Sequence, residues 1–546
     1  MYESFTEDER KRLAPFFTNL DQPIFGLKLP QEVAGALFSR YSRSTHTLRR
    51  IFLDEFIGPD LDLPSEDMGR SKEAIQKARA FYDRVLVGYG DDSVAQLGGA
   101  HLACEQVSNV TANLLEDARI GIAPLEKSTR YVRFDQKDAA GEYPFYKEPR
   151  IMASPYRDAY LAVMRRLFET YANQLSPLTD FVSNAMPIST VSLRHPRTGE
   201  ALVYNDLKGD PNLLKWAEVA YRTTVRTHVC DLLRGYLPAA TLTNLGLFGV
   251  GQAFEHLLTK LYTHPLSEAR QTAGLLHLEL NTLIPSFVRR AKFSNYLAGL
   301  DHIGRTTADA YTGGLQVESA TEVTLVDYDD QAEEKVLAAL LYPHARQPLS
   351  QLRKEVLAMS TAERGKIIED CLGQRKNRRD RPGRAWEQVY YTFDMLGNLG
   401  AYRDLHRHRI LTQTRQDFTT LHGYDTPPEI EAAGFRPAFD RCMEEVAKLY
   451  AQLLPSLPDE AQYVVPFAFR VRWQMKLNLR EAVHVAELRS MPQGHPDYRR
   501  MVQEMWRKIA EVHPTLADCA KYIDWNDYCL GRLQAEMRTE YKRAPS

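Results

Sequence analysis

Three things are scarce in this 546-residue chain. It has six cysteines, Cys104, Cys230, Cys371, Cys442, Cys519 and Cys529, and no CxxC pair among them. That is too sparse for a disulfide scaffold, so a reducing cytoplasm is the simplest home. Charge of one sign is missing too: 69 Lys and Arg stand against 71 Asp and Glu, a formal net charge of -2. Nothing in that balance asks for nucleic acid or an anionic membrane as partner. No apolar run approaches the ~20 residues of a membrane span, and the opening MYESFTEDERKRL is too polar for a signal peptide. What remains is an ordinary globular composition, 44% hydrophobic and 26% charged. The chain is long enough for two or more domains.

Most of it reads as amphipathic helix. In MASPYRDAYLAVMRRLFETYANQL, from Met152, apolar residues recur at spacings of three and four, with Ser154 and Pro155 suited to the cap and first turn. Strand-like segments are fewer: TEVTLVDY from Thr321, and YVVPFAF from Tyr463, whose proline suggests an edge or bulge. Long helices with a few strands predict an α+β fold. The polar stretch from Leu300 to Glu322, containing Gly313-Gly314, reads as a linker. It leaves two large parts that echo one another. Pro466 is followed twelve residues later by Asn478 in NLREAVHVAELR. Pro238 is followed at the same distance by Val250 in VGQAFEHLLTKL, so His256 falls opposite His484.

Four stretches carry chemistry. In LHRHRILTQTRQD, Arg407, His408 and Arg409 form either a solvated basic face or an anion grip, guanidinium being a planar fork that matches phosphate. A metal is a poor reading there, because His406 and His408 point to different sides of a helix. In LEKSTRY, Glu126, Ser128 and Arg130 alternate and would share a side if extended, giving a hydroxyl beside a guanidinium. The bland alternative is a capping segment with a surface arginine. In NLREAVHVAELR, Asn478, Arg480 and Arg489 sit in an otherwise apolar stretch, where Glu481 or Glu487 could pair with the arginines. RKNRRDRPGR, from Arg375, reads as a solvated loop.

Together these pieces resemble the flavin-dependent thymidylate synthases, the ThyX family, whose signature is RHRxxSxNExSxRY. Here the signature occurs twice, each copy half eroded. RHRILTQTRQDFTT, Arg407 to Thr420, keeps RHR. ARIGIAPLEKSTRY, Ala118 to Tyr131, keeps Glu126, Ser128, Arg130 and Tyr131. The family arginine before the LP step matches Arg234 in RGYLP, whereas the second half has Gln462. Asp404 stands where the family has glutamine. The resemblance implies two ThyX-like domains in tandem, each a mixed or antiparallel sheet flanked by long helices: 1–299 with ExSxRY, a linker at 300–320, and 321–546 with RHR and NxR…LR. It implies methylation of dUMP or a related pyrimidine nucleotide, with FAD as cofactor and methylenetetrahydrofolate and NADPH as cosubstrates. Arg489 would act on the pyrimidine. Arg407, His408, Arg409, Asn478, Arg480 and Ser93 would hold the flavin, and Glu126, Ser128, Arg130 and Arg234 the nucleotide. Family members are tetramers with sites between subunits, so a homodimer of this double-length chain would imitate one. The alternative is a non-catalytic descendant that binds flavin or nucleotide, or serves as an assembly partner.

Overall fold

The computed structural model describes residues 4–42, 44–57, 94–318 and 320–543. The chain forms two compact units, the first from 1–107, 111–126 and 244–315, the second from 108–110, 127–243 and 316–546.

The first unit carries strands β1 (Gly99–Ser108) and β2 (Ile122–Glu126). A small antiparallel hairpin, β3 (Leu193–Arg194) with β4 (Ala201–Leu202), belongs to the second unit. Strand β5 (Leu242–Val250) completes the first sheet in the order β1-β5-β2. It pairs antiparallel with β2, Ile122 opposite Gly249 and Glu126 opposite Leu245. At Val250 it runs directly into helix Gly251–Thr263, which buries Phe254, Leu257, Leu258 and Leu261 on one face.

The second unit carries β6 (Val323–Tyr328), β7 (Tyr390–Asn398), β8 (Thr412–Arg415) and β9 (Arg470–Asn478), in the antiparallel order β6-β7-β9-β8. Strands β7 and β9 pair from Tyr390 opposite Asn478 to Asn398 opposite Arg470. Alternate residues face the core: Tyr391, Phe393 and Met395 from β7, and Val471, Trp473, Met475 and Leu477 from β9, all buried. Each such aliphatic or aromatic side chain contributes about 1.5–3 kcal/mol by leaving water. Both strands end on an asparagine that caps a helix. The Asn398 side-chain oxygen accepts from the Ala401 amide at 2.9 Å and opens helix Leu399–His406. Asn478 accepts from the Glu481 amide at 2.9 Å and opens helix Leu479–Arg489. Each cap is worth ~1 kcal/mol.

Apart from β6, the two sheets share one plan. The order β7-β9-β8 repeats β1-β5-β2, and the first and middle strands of each run straight into helices. Within the second unit the matching segments 235–240 and 463–468 pair across an approximate two-fold. Pro238 lies opposite Pro466. Phe467 N donates to Leu237 O at 2.9 Å and Ala239 N to Val465 O at 2.8 Å; Ala468 N donates to Gly235 O at 3.1 Å and Ala240 N to Tyr463 O at 2.9 Å. The prolines occupy the central positions, where no amide hydrogen is used.

Several sequence expectations change. Strand β6 lies where the alternation of 321–328 placed it. Segment 463–469 is not a strand: a tight turn over Glu460–Val464 leads into the proline bridge, and the strand follows as β9. The long helix starts at Arg157, because Ser154 closes a separate turn by donating to Ile151 O and accepting from Tyr156 N. Most of 300–320 is helical, in helix Asn295–Thr312, and Gly313 forms its C-cap. Among the described residues no helix is long and apolar enough to cross a membrane.

Candidate functional site

Helix Pro211–Leu233 ends in CDLLR, which places Asp231 and Arg234 one turn apart and buries both. Asp231 holds Arg130 through two bonds: Nε donates to Oδ1 at 2.7 Å and Nη2 to Oδ2 at 2.6 Å. Such bidentate pairs are the strong ones. The remaining Arg130 nitrogen, Nη1, donates to the Tyr498 hydroxyl at 3.3 Å. Ser128 does not share an extended face with Arg130. Its Oγ accepts the Arg130 backbone amide at 3.3 Å, making a turn that folds the arginine inward.

Arg234 donates from Nη1 to Asp404 Oδ2 at 3.1 Å. A β-carbon on Gly400 would stand 3.0 Å from both Arg234 Nε and Nη2, so only glycine lets the guanidinium lie this close to helix Leu399–His406. Nη2 is buried with no hydrogen-bond partner among the described residues. Asp404, on the last turn of that helix, also pairs with Arg407. Burial alone would raise the Asp404 carboxyl. Instead Arg407, Arg234, Arg130 and Arg489 hold it well below the usual carboxylate range. Asp231 is likewise held low against its own burial, chiefly by Arg130.

His408 lies just beyond the helix end and is buried. Arg489 Nε donates to its Nε2 at 2.8 Å, so the ring proton sits on Nδ1, which faces Glu481 Oε1 at 3.3 Å. Burial, then Arg489, His484 and Arg407, push the His408 pKa well down and keep the ring neutral. Burial raises Glu481 to about 7. Arg489 makes no salt bridge with a carboxylate among the described residues; it lies 5.7 Å from the Tyr498 ring centroid. Tyr498 thus touches Arg130 on one side and Arg489 on the other. The cluster holds four arginines, with Asp231 and Asp404 as their direct counter-charges, and the excess is positive. That field suits an anion.

His408, Glu481 and His484 bring ligand-type atoms within 4.8 Å of one another. The set is metal-like in kind, but the Nε2 lone pair is engaged by Arg489. Burial and then Arg381, Arg378 and Arg489 also depress His484, to about 4, a cationic surrounding that opposes a divalent ion. His406 stacks on Tyr402 at 5.1 Å.

Arg130 and Arg234 from the first half therefore meet Arg407, His408 and Arg489 from the second within one unit. Other expected residues fall elsewhere. Arg480 donates to Pro382 O at 2.8 Å and Glu387 Oε1 at 2.6 Å, not to Glu481 or Glu487. Glu487 instead holds Arg375 bidentately at 3.0 and 2.8 Å, so Arg375 is buried rather than in a solvated loop. Asn478 serves as the helix cap, Arg409 is exposed, and Glu126 ends β2 in the first unit. Ser93 lies outside the described residues. Asp231 and Tyr498 were not singled out from sequence, and Glu481 was named only as a partner for the arginines, whereas it faces His408. An acid in the apolar run VCDLL, one turn before an arginine, is the signal that could have marked Asp231, since a buried carboxylate needs a buried cation.

The sequence profile of the family described as thymidylate synthase complementing protein matches residues 52–286 and 324–515. The chain belongs to that family. The double match fits a tandem member, and well over half of the chain is covered. A UPF0159 protein of Chlamydia muridarum is 40% identical over 544 residues, spanning 98% of each chain. One from Thermoplasma acidophilum is 36% identical over 519 residues, 93% of this chain and 98% of its own. A flavin-dependent thymidylate synthase of Geobacter sulfurreducens is 25% identical over 206 residues, 36% of this chain and 84% of its own. That relative aligns with little more than a third of this family member.

Proposed function

We propose that this chain is a flavin-dependent methyltransferase acting on a pyrimidine nucleotide of the dUMP type, through one composite site assembled from both halves. The observation that carries the reading is the convergence of Arg130 and Arg234 with Arg407, His408 and Arg489 around Asp231, Asp404 and Tyr498. Family membership and the Geobacter relative support the reaction class. Each half has lost what the other retains, as expected when fused copies specialise.

Within this reading Arg489 faces the pyrimidine. It makes no direct salt bridge with a carboxylate among the described residues, so its charge is available to stabilise the ionised ring. Neutral His408 fixes Arg489 through Nε2. Arg234 and Arg130, anchored on Asp404 and Asp231, set the positive field for the phosphate. Arg407 and Arg409 are exposed where helix Leu399–His406 ends, and their charge fits a flavin diphosphate. The hydride and one-carbon chemistry would come from bound reduced FAD and methylenetetrahydrofolate, with NADPH as reductant. A homodimer would supply the neighbouring contacts that a tetramer gives its single-domain relatives.

The test is absorbance and mass analysis of what co-purifies, together with rescue of a thymidine-requiring strain. Flavin absorbance and growth without thymidine are expected. A colourless protein that gains no flavin band with FAD and rescues nothing would end the proposal. One observation favours the second reading, a non-catalytic binder: every Arg130 side-chain nitrogen is already engaged by Asp231 or Tyr498. Flavin binding without rescue would select it.

A further inference from the structure

Behind the Arg130–Asp231 pair, still inside the second unit, lies a cleft of about 30 Å³. Thr224, His228, Arg499 and Arg532 line it, with the loops at Gly494 and Gly531. None of these belongs to the motifs discussed above. The loops are tightly closed on one another, since a β-carbon on Gly531 would stand 2.0 Å from Pro492 O.

The charges facing this cleft do not balance. Asp231 is spent on Arg130. His228 faces Glu429 at 3.4 Å. Arg499 donates to Ser490 O and Asn526 O, each at 2.7 Å, and lies 3.6 Å from Asp524. Among the described residues Arg532 has no such partner. It is 8% exposed, and its Nε and Nη1 are both buried without a hydrogen bond. Its guanidinium lies 4.6 Å from the Tyr131 ring centroid, a contact with the face of the ion that leaves the edge donors free. Thr224 Oγ1, which also lines the cleft, is likewise buried with no hydrogen-bond partner among the described residues.

A guanidinium taken out of water without an acid is strongly unfavourable, and a fold tolerates it where a ligand repays the cost. We propose that Arg532 and Thr224 form a binding subsite for a phosphate-type oxyanion, with Arg499 adding field. Guanidinium matches such an anion through two parallel donors, and a hydroxyl supplies a third. The space admits about two oxygen-sized atoms, so the rest of the anion stays at the mouth. The anion is either the phosphate of a nucleotide or free inorganic phosphate. The subsite does not require the flavin reading to hold.

The test is calorimetric titration of the full-length protein with inorganic phosphate, comparing wild type with Arg532→Gln, Arg532→Lys and Thr224→Val. Arg532→Gln is expected to weaken phosphate by about tenfold or more, and Arg532→Lys by less, because lysine keeps the charge and loses the fork. Without phosphate, Arg532→Gln is expected to melt at or above the wild-type temperature, since it removes a buried unpaired charge. With phosphate, only the wild type and Arg532→Lys should shift upward. Wild-type affinity in Arg532→Gln, or no phosphate binding by the wild type, overturns the proposal. Should Arg532→Gln fail to fold, Thr224→Val binding phosphate as tightly as wild type does the same. Competition with a pyrimidine nucleoside monophosphate assigns the source: displacement of phosphate points to the nucleotide, co-binding to the free anion, and either supports the subsite. None of these readouts involves flavin, so failure here and failure of the methyltransferase reading are told apart.

Discussion

Replacing Asp404 by glutamine restores the residue type that ThyX-like proteins carry and should lower stability while strengthening anion binding. Asp404 is the shared counter-charge of Arg234 and Arg407. Arg234 is buried and already has one unpartnered nitrogen, so it cannot turn to water. Removing one partner of a buried ion pair costs about 3–5 kcal/mol. The glutamine oxygen can still accept one bond, worth about 1 kcal/mol, which leaves an expected loss of about 2–4 kcal/mol. Denaturant unfolding followed by tryptophan fluorescence reads this directly, because buried Trp473 packs against Tyr402 of the same helix at 5.2 Å. The sign with pH follows from the lowered carboxyl. The wild-type advantage should be full above the unfolded aspartate value of about 3.9 and should fade only as pH falls toward the lower folded value. A nucleoside monophosphate would take over the missing charge. At a hundred times its dissociation constant it adds about 2.7 kcal/mol, so the variant should recover most of its deficit. A variant that unfolds at the wild-type midpoint near pH 7, and gains no more from nucleotide than wild type does, would refute the view of Asp404 as electrostatic anchor.

Arg130→Ala should weaken nucleotide and spare flavin, while Arg407→Ala should reduce flavin occupancy; equilibrium dialysis with each ligand separates them, and loss of the same ligand by both would defeat the division of labour. Arg130→Ala also strands Asp231, a cost of about 3–5 kcal/mol that the double change Arg130→Met with Asp231→Leu should largely remove in a denaturation curve. Glu481→Gln removes a carboxyl raised by burial to about 7. The folded wild type binds that proton more tightly than the unfolded chain, so its stability falls as pH rises from about 4.5 to 7, and the variant should gain on the order of 3 kcal/mol above pH 8; parallel stability curves for the two proteins from pH 5 to 8.5 would contradict this. Gly400→Ala should push Arg234 off its seat and weaken nucleotide binding without touching flavin absorbance, although alanine itself favours the helix by about 0.5–1 kcal/mol.

The duplication was legible because it is written in spacing: Pro238 to Val250 matches Pro466 to Asn478, and both intervals span the middle strand of a sheet. Strand β6 was legible from its alternation. Strand β9 was not, since RVRWQMKLN mixes charged residues with the buried Val471, Trp473, Met475 and Leu477 and runs without a break into a helix-periodic stretch. The cationic residues of the site could be named from the resemblance, but their partners could not. Asp231 lies 101 residues from Arg130, and Asp404 lies 170 residues from Arg234, so only the folded chain pairs them. The Arg375–Glu487 pair, 112 residues apart, is likewise formed only by the fold. Arg532 carries no local signature at all; its interest comes from the bonds it does not make.

The bridge at Pro238 and Pro466 is built entirely of main-chain atoms. Peptide groups are the same whatever amino acids bear them, so the hydrogen bonds of this seam tolerate most changes of side chain, with Gly235 an exception: a β-carbon there would stand 3.3 Å from that of Ala468. The two halves could therefore drift in opposite directions, one keeping ExSxRY and the other RHR, while the main-chain register between them held. The bridge is one tie between the halves; the buried Arg234–Asp404 pair is another, and that one does depend on side chains.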